Sequence, residues 1–299
     1  IVEGGLTWQQ LTYDNKGFND KESILLNTNR SFTAILPRIG ASWNAENSSL
    51  YSNFSVGNSP PSIFEIVDVS NGQLSESLNP EDAWNFEIGY RGSLLRDRLR
   101  MDLSVYTLEL TNAIFEKTDS TELTLFVNEG LTRSYGAEAQ IQAILLDRTS
   151  KANSIRRISY VGAFTYQDQS FKNVPFGEEL IQETQVPGVQ PWRVNQTLNL
   201  QTKFGLEWIV QHQWVDAVPI NNANDVFSPA YHRVNSRMSY RFPFKSKDLN
   251  LSVFAGINNL TDARYVDFLQ VNGFGTRFYN AAPERNYYAG LRMIWIIEN

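Results

Sequence analysis

The sequence predicts an all-β fold, a transmembrane antiparallel β-barrel, and three observations predict it. Apolar residues recur at every second position through long segments, which is the period of an extended strand with one greasy and one polar face. The connectors alternate between short and long, the asymmetry of an outer-membrane barrel with tight turns at one end and long loops at the other. Aromatic residues stand near the ends of the apolar faces, where a membrane interface holds them.

Twelve strands are expected, near 1–12, 32–43, 49–57, 83–95, 99–115, 130–146, 155–170, 190–201, 206–216, 230–242, 249–259 and 286–297. The chain opens on "IVEGGLTWQQLTY", which already reads as a strand and lacks the charged segment and continuous apolar core of a signal peptide. In "AWNFEIGYRG", Trp84, Phe86, Ile88 and Tyr90 share one face, and Asn85, Glu87, Gly89 and Arg91 the other. After the turn "LRDR", Leu99, Met101, Leu103 and Val105 face away from Arg100, Asp102, Ser104 and Tyr106, so these two strands are antiparallel neighbours. Tyr135, Ala137, Ala139 and Ile141 alternate with Ser134, Gly136, Glu138 and Gln140, and Ile158, Tyr160, Gly162, Phe164 and Tyr166 resume the apolar face. Trp192, Val194, Leu198 and Leu200 oppose Arg193, Asn195, Thr197 and Asn199. In "YHRVNSRMSYRF" the polar face is Arg233, Asn235, Arg237, Ser239 and Arg241, set against His232, Val234, Met238 and Tyr240. The closing "RNYYAGLRMIWIIEN" puts Tyr287, Ala289, Leu291, Met293 and Trp295 opposite Tyr288, Gly290 and Arg292.

Compact turns are expected at 44–48, 96–98, 147–154, 202–205 and 243–248. Long connectors rich in Asn, Asp, Ser, Gly and Pro are expected at 13–31, 58–82, 116–129, 171–189, 217–229 and 260–285. A strand crossing hydrocarbon needs about 9 to 11 residues, and several of these exceed the roughly five or six usual in globular sheets. Alternation by itself also suits a soluble sandwich whose sheets cover a core. Strand length, loop asymmetry and the aromatic ends favour lipid as the partner of the apolar face.

Composition narrows the function. The 299 residues include 18 Phe, 13 Tyr and 7 Trp, carry a formal net charge of -6, and contain no cysteine. The negative balance disfavours indiscriminate binding to a phosphate backbone, so nucleic acid is not an expected partner. Without cysteine there are no disulfides, thiolate nucleophiles or Cys zinc sites. No segment reaches the roughly 18 consecutive apolar residues of a membrane-spanning helix, which excludes a helical span and leaves strands. His212 and His232 lack metal-ligand spacing in sequence, and "NGFG" at 272–275 lacks the strand-to-helix setting of a dinucleotide site. "DNKGFND" places Asp14, Asn15 and Asp20 in one loop without EF-hand spacing, which reads as Asx-rich turn chemistry. Neither an enzyme nor a resident cofactor or metal is expected.

Several stretches carry a family resemblance: "ILPRIGASWN" with "YSNFSVGNSPP", "LNPEDAWNFEIGYRG" followed by "RLRMDLSVYTLELTNAI", "NEGLTRSYGAEAQ", "PAYHRVNSRMSYRF", "LNLSVFAGINNLTDARY" and "PERNYYAGLRM". In this order and spacing the chain resembles TonB-dependent outer-membrane receptors, most closely the ferric-siderophore and ferric-citrate group. The resemblance implies that residues 1–299 are the C-terminal part of the barrel, about the last twelve strands of a 22-stranded wall. The first strands and an N-terminal plug would lie upstream. It implies uptake of an iron chelate across the bacterial outer membrane, iron entering only within the cargo. The implied partners are the chain's own plug, outer-membrane lipid and the TonB-ExbB-ExbD system. One departure is the ending "WIIEN", where receptors of this kind typically finish on an aromatic residue. A passive porin, a receptor for cobalamin, heme, a copper complex or a glycan, and a soluble carbohydrate-binding or adhesion sandwich remain open.

Candidate site residues follow from alternation and chemistry. Glu87, Arg91, Asp102, Glu138, Arg193, Arg233, Arg237, Arg241 and Arg292 are costly facing lipid, which assigns them to a lumen. There they brace the wall, hold a plug or attract an anionic ligand through guanidinium groups. Arg193 and Arg233, near the external ends, suit a ligand; Arg241 and Arg292 lie low and suit the plug. Trp192, Tyr231, His232, Tyr265 and Arg277 complete the candidate ligand contacts, as rigid rings and polar groups at an external mouth.

Overall fold

The computed structural model describes residues 1–19, 24–67, 73–118, 124–128, 130–148, 154–172, 174–176, 179–181, 183–243, 249–271 and 279–295. Twelve strands form one antiparallel sheet in chain order. They are β1 (Val2–Asn19), β2 (Ile24–Asn44), β3 (Ser48–Ser59), β4 (Glu81–Leu94), β5 (Leu99–Thr111) and β6 (Leu131–Asp147), then β7 (Ile155–Lys172), β8 (Trp192–Thr202), β9 (Leu206–Val215), β10 (Tyr231–Arg241), β11 (Leu249–Asn258) and β12 (Asn286–Trp295). Every expected strand is present. Each pairs with its chain neighbours, and β1 and β12 are the two edges of the sheet among the described residues.

One expected connector is corrected. The segment 13–31 is mostly strand, because β1 and β2 pair without a break from Val2↔Ala41 to Asn19↔Ile24. Asp14 and Asn15 therefore lie in β1, while Asp20 lies outside the described residues. The reason is visible in the side chains. Val2, Leu6, Trp8, Ile35, Ile39 and Trp43 form an exposed apolar band on one face, and above it the same face turns polar. Gln10 donates to Ser31 (3.3 Å), Thr12 meets Ser31 (3.1 Å) and Asn29 donates to Asp14 (2.6 Å). The hairpin thus continues beyond the apolar band with its outward polar groups paired across the strands. Four other long connectors carry small two-stranded pieces of their own, Ile114–Thr118 with Thr124–Asn128, Val174–Phe176 with Glu179–Ile181, Val218–Pro219 with Phe227–Ser228, and Val266–Leu269 with Tyr279–Ala281.

Register shows that the sheet is strongly sheared. A row of directly opposed residues runs Ser48, Gly92, Met101, Ile141, Gly162, Gln196, His212, Val234. It starts at the short-turn end of β3 and arrives near the long-loop end of β10. Such stagger is what tilted strands in a barrel wall require.

The two faces differ as alternation demands. On the apolar face Trp43, Leu291, Met293 and Trp295 are each more than half exposed, with Trp43 71% and Trp295 73% exposed. The buried apolar side chains gather instead at the long-loop end, where Phe32, Ile66, Leu74 and Leu78 cluster against Tyr13, Val67, Ile114 and Phe126. A soluble sandwich would cover its apolar sheet face with a second layer; here that face is left to a non-aqueous partner.

On the opposite face, aromatic rings cover glycines directly across the strand pair. Tyr51 lies over Gly89, Tyr106 over Gly136, Tyr288 over Gly256 and Phe254 over Gly290. A Cβ at Gly89 would collide with the Tyr51 ring. Small residues here let rings lie flat against the wall, which restores the packing a glycine lacks.

Candidate functional site

The polar face is continuous from one end of the wall to the other. A second row of opposed residues, parallel to the first, runs Arg91, Asp102, Gln140, Ala163, Asn195, Gln213, Arg233. It links the short-turn end of β4 to the long-loop end of β10. Glu87, Glu138, Arg193, Arg237, Arg241 and Arg292 occupy the same face by alternation along their strands.

In the β3–β6 region this face is a mixed-charge network. Tyr51 donates to Glu87 (2.8 Å), Arg91 Nε donates to Asp102 (2.9 Å), and the Arg91 guanidinium lies 4.7 Å from the Tyr51 ring centroid. Below it opens a concavity of about 610 Å³ whose lining includes Asn44, Ser49, Arg91, Arg100, Asp102 and Gln142. In the β8–β12 region arginines dominate. Arg233, Arg237 and Arg241 recur at every fourth position of β10, with Arg193 on β8 and Arg292 on β12, and Glu207 is the carboxylate among them. Glu207 is tied up by neutral groups: it accepts from Asn199 (3.1 Å), Gln201 (3.0 Å) and Ser239 (3.4 Å). Arg237 sits 4.4 Å from the Phe254 ring centroid.

At the external end, three candidates meet. Tyr231 and Tyr265 stack with ring centroids 4.6 Å apart, and Arg233 donates to the Tyr265 hydroxyl (2.9 Å) with its guanidinium 5.5 Å from that ring. Arg193 belongs to the same row as Tyr231, through Val215. The Arg233 Nε is buried and has no hydrogen-bond partner, so the guanidinium is held at this position through its bond to Tyr265 alone among the described side chains. Tyr265 is held in place by a turn. Buried Asn259, at φ 54°, donates to the Ala263 carbonyl and accepts from Ala263 N and Thr261 Oγ1, while its own N–H donates to Asn235.

Two candidates face the other way. Trp192 packs on Tyr166 (centroids 4.6 Å apart) and His232 lies opposite Trp214, both on the apolar face. Alternation separates them from Arg193 and Arg233, their immediate chain neighbours, by the thickness of the sheet. Arg277 and the "NGFG" segment lie outside the described residues. The two histidines, although 20 positions apart in sequence, meet across β9 and β10 with His212 Nε2 3.0 Å from His232 Nδ1. Sequence reading missed Tyr51, Glu207, Asn259 and Arg30, whose side chain reaches the carbonyls of Ser75 and Leu78 and pins the β3–β4 connector over the polar face. A tyrosine placed to cover a cross-strand glycine was the one signal available, and it needed the register.

The profile of the TonB dependent receptor-like β-barrel family matches residues 1–260. The chain belongs to that family. This receptor chain is accordingly an outer-membrane β-barrel wall, with its apolar face toward lipid and its polar face toward the lumen. Solved structures agree on the fold. The siderophore receptor PiuA from Acinetobacter baumannii superimposes with a TM-score of 0.72 at 18% identity, over 98% of this chain and 40% of that one. The ferric citrate transporter FecA in its unliganded form gives 0.73 at 16% identity, over 98% and 42%. The copper transporter OprC gives 0.71 at 15% identity, over 98% and 44%. The receptor chain thus spans about two fifths of the length of these structures.

Proposed function

We propose that residues 1–299 are the C-terminal twelve strands of a larger TonB-dependent barrel that imports a ferric siderophore or similar anionic iron chelate. The observation that carries this reading is the Tyr231–Tyr265–Arg233 cluster at the mouth of an arginine-rich lumenal face. Stacked rings offer a flat apolar platform, and guanidinium groups match the carboxylate or phenolate oxygens of such a chelate. The paired charges of β3–β6 and the concavity beside Arg91 and Arg100 suit a docked plug, through which the TonB-ExbB-ExbD system delivers force.

Closure supports the larger barrel. Edge strands with unpaired N–H and C=O groups cannot stand in hydrocarbon, so β1 and β12 need partner strands in the membrane, which a larger barrel would supply. Because OprC shares this fold, the fold leaves the cargo open, and the binding test must separate cargo classes.

The test is a binding screen on the full-length protein in detergent, with ferric chelates set against cobalamin, heme, copper complexes and oligosaccharides. An anionic ferric chelate is expected to bind, and Arg233→Ala and Tyr265→Ala to weaken it about tenfold, the loss of one charge-assisted contact. Selective binding of an oligosaccharide, or of a chelate whose affinity ignores both substitutions, overturns the assignment.

A further inference from the structure

The lipid-facing surface of β7 to β10 carries a polar interruption near the external rim. Tyr160, Gln196, His212 and His232 lie on the apolar register of four successive strands. The Tyr160 hydroxyl donates to Gln196 Oε1 (3.1 Å), Gln196 Nε2 lies 3.3 Å from His212 Nδ1, and His212 Nε2 lies 3.0 Å from His232 Nδ1. The imidazole planes are within 15° and their centroids are 5.3 Å apart. With nitrogens at 3.0 Å, that places the rings edge to edge, with two nitrogens converging. The Trp214 ring lies 6.0 Å from His232 and nearly parallel to it. His232 is exposed and is the second residue of its strand at the long-loop end. So near the rim, polar groups on the outer wall meet the membrane interface, where water reaches them and their cost is small, and wall bracing is already supplied by the backbone ladder.

We propose that His212 and His232 form a two-histidine site for a divalent d-block cation, Zn²⁺, Ni²⁺ or Cu²⁺, on the outer wall at the external rim. Imidazole is a good ligand for these ions. Each nitrogen binds at about 2.0–2.1 Å, so two at a tetrahedral angle are about 3.3 Å apart. The hydrogen-bonded pair has to open by about 0.3 Å from the observed 3.0 Å, and each ring has to tilt by about 35° so that nitrogens now aimed at each other converge on the ion. For Nε2 of His212 to ligate, its proton moves to Nδ1, and Gln196 turns its amide so that Oε1 accepts that proton, the usual outer-shell partner of a ligating histidine. No proton is gained or lost in the exchange. Among the described residues no group of three or more His, Cys, Asp or Glu gathers to hold a metal, so water at the exposed rim completes the coordination. The site is on the opposite side of the sheet from the lumen and stands or falls independently of the cargo.

The experiment titrates the full-length protein in detergent with ZnCl₂ and NiCl₂ by calorimetry, and with Cu²⁺ followed by electron paramagnetic resonance. Wild type is expected to bind about one ion per chain that is absent from His212→Gln and His232→Ala, with two-nitrogen coupling on Cu²⁺. Gln196→Ala is expected to weaken binding about tenfold. Each variant is first shown to be folded by circular dichroism, and the exposed rim position of His232 makes its variant the secure one. Equal stoichiometry in wild type and His232→Ala, no binding by wild type, or Cu²⁺ spectra without nitrogen coupling overturns the proposal.

Discussion

At the scale of single residues, the wall is built from contacts that alternation positions but does not name. Tyr51 is held over Gly89 by its hydrogen bond to Glu87, so a side chain at position 89 forces the ring out of that bond. Gly89→Val is expected to destabilise the folded protein by about 1–3 kcal/mol in denaturant unfolding. In a Tyr51→Ala background the same change should cost measurably less, because the clash is gone. Asn259 is the second such residue. Buried and bonded on both sides of its amide, it fixes the turn that presents Tyr265. Asn259→Ala should cost about 1–3 kcal/mol, the penalty for unsatisfied buried groups, and should expose residues 260–265 to limited proteolysis.

Single strands test the assignment of faces. Ser104 and Val105 are neighbours on β5, yet Ser104 lies opposite Glu138 and Gly89 on the lumenal face, whereas Val105 is 56% exposed on the lipid face. Val105→Arg is expected to cost about 2–4 kcal/mol when the protein refolds into lipid, as a cation on the lipid face does. Ser104→Arg, beside Glu87 and Glu138, should cost little. Equal penalties at the two positions would contradict the facing. This level was the most legible in the sequence, because period two is a local property of the chain and all twelve strands carry it. The exception, the outer half of the β1–β2 hairpin, hid because its outward residues are polar and read as loop.

For the whole molecule, the exposed apolar band predicts that the protein stays dispersed only in detergent or lipid. Sedimentation without detergent should show association, since Trp43, Leu291 and Trp295 and their neighbours have no protein layer over them. The sequence by itself determined the all-β class, the existence and order of the twelve strands and, through its ordered motifs, the family, while the outer half of the β1–β2 hairpin escaped it. Tertiary structure alone decided which of those residues meet. The pairings Tyr51 with Glu87, Arg233 with Tyr265 and His212 with His232 join positions 36, 32 and 20 apart. Alternation gives a side chain its face, but register and shear between strands set its neighbours. Those are non-local quantities that a pattern of period two does not contain.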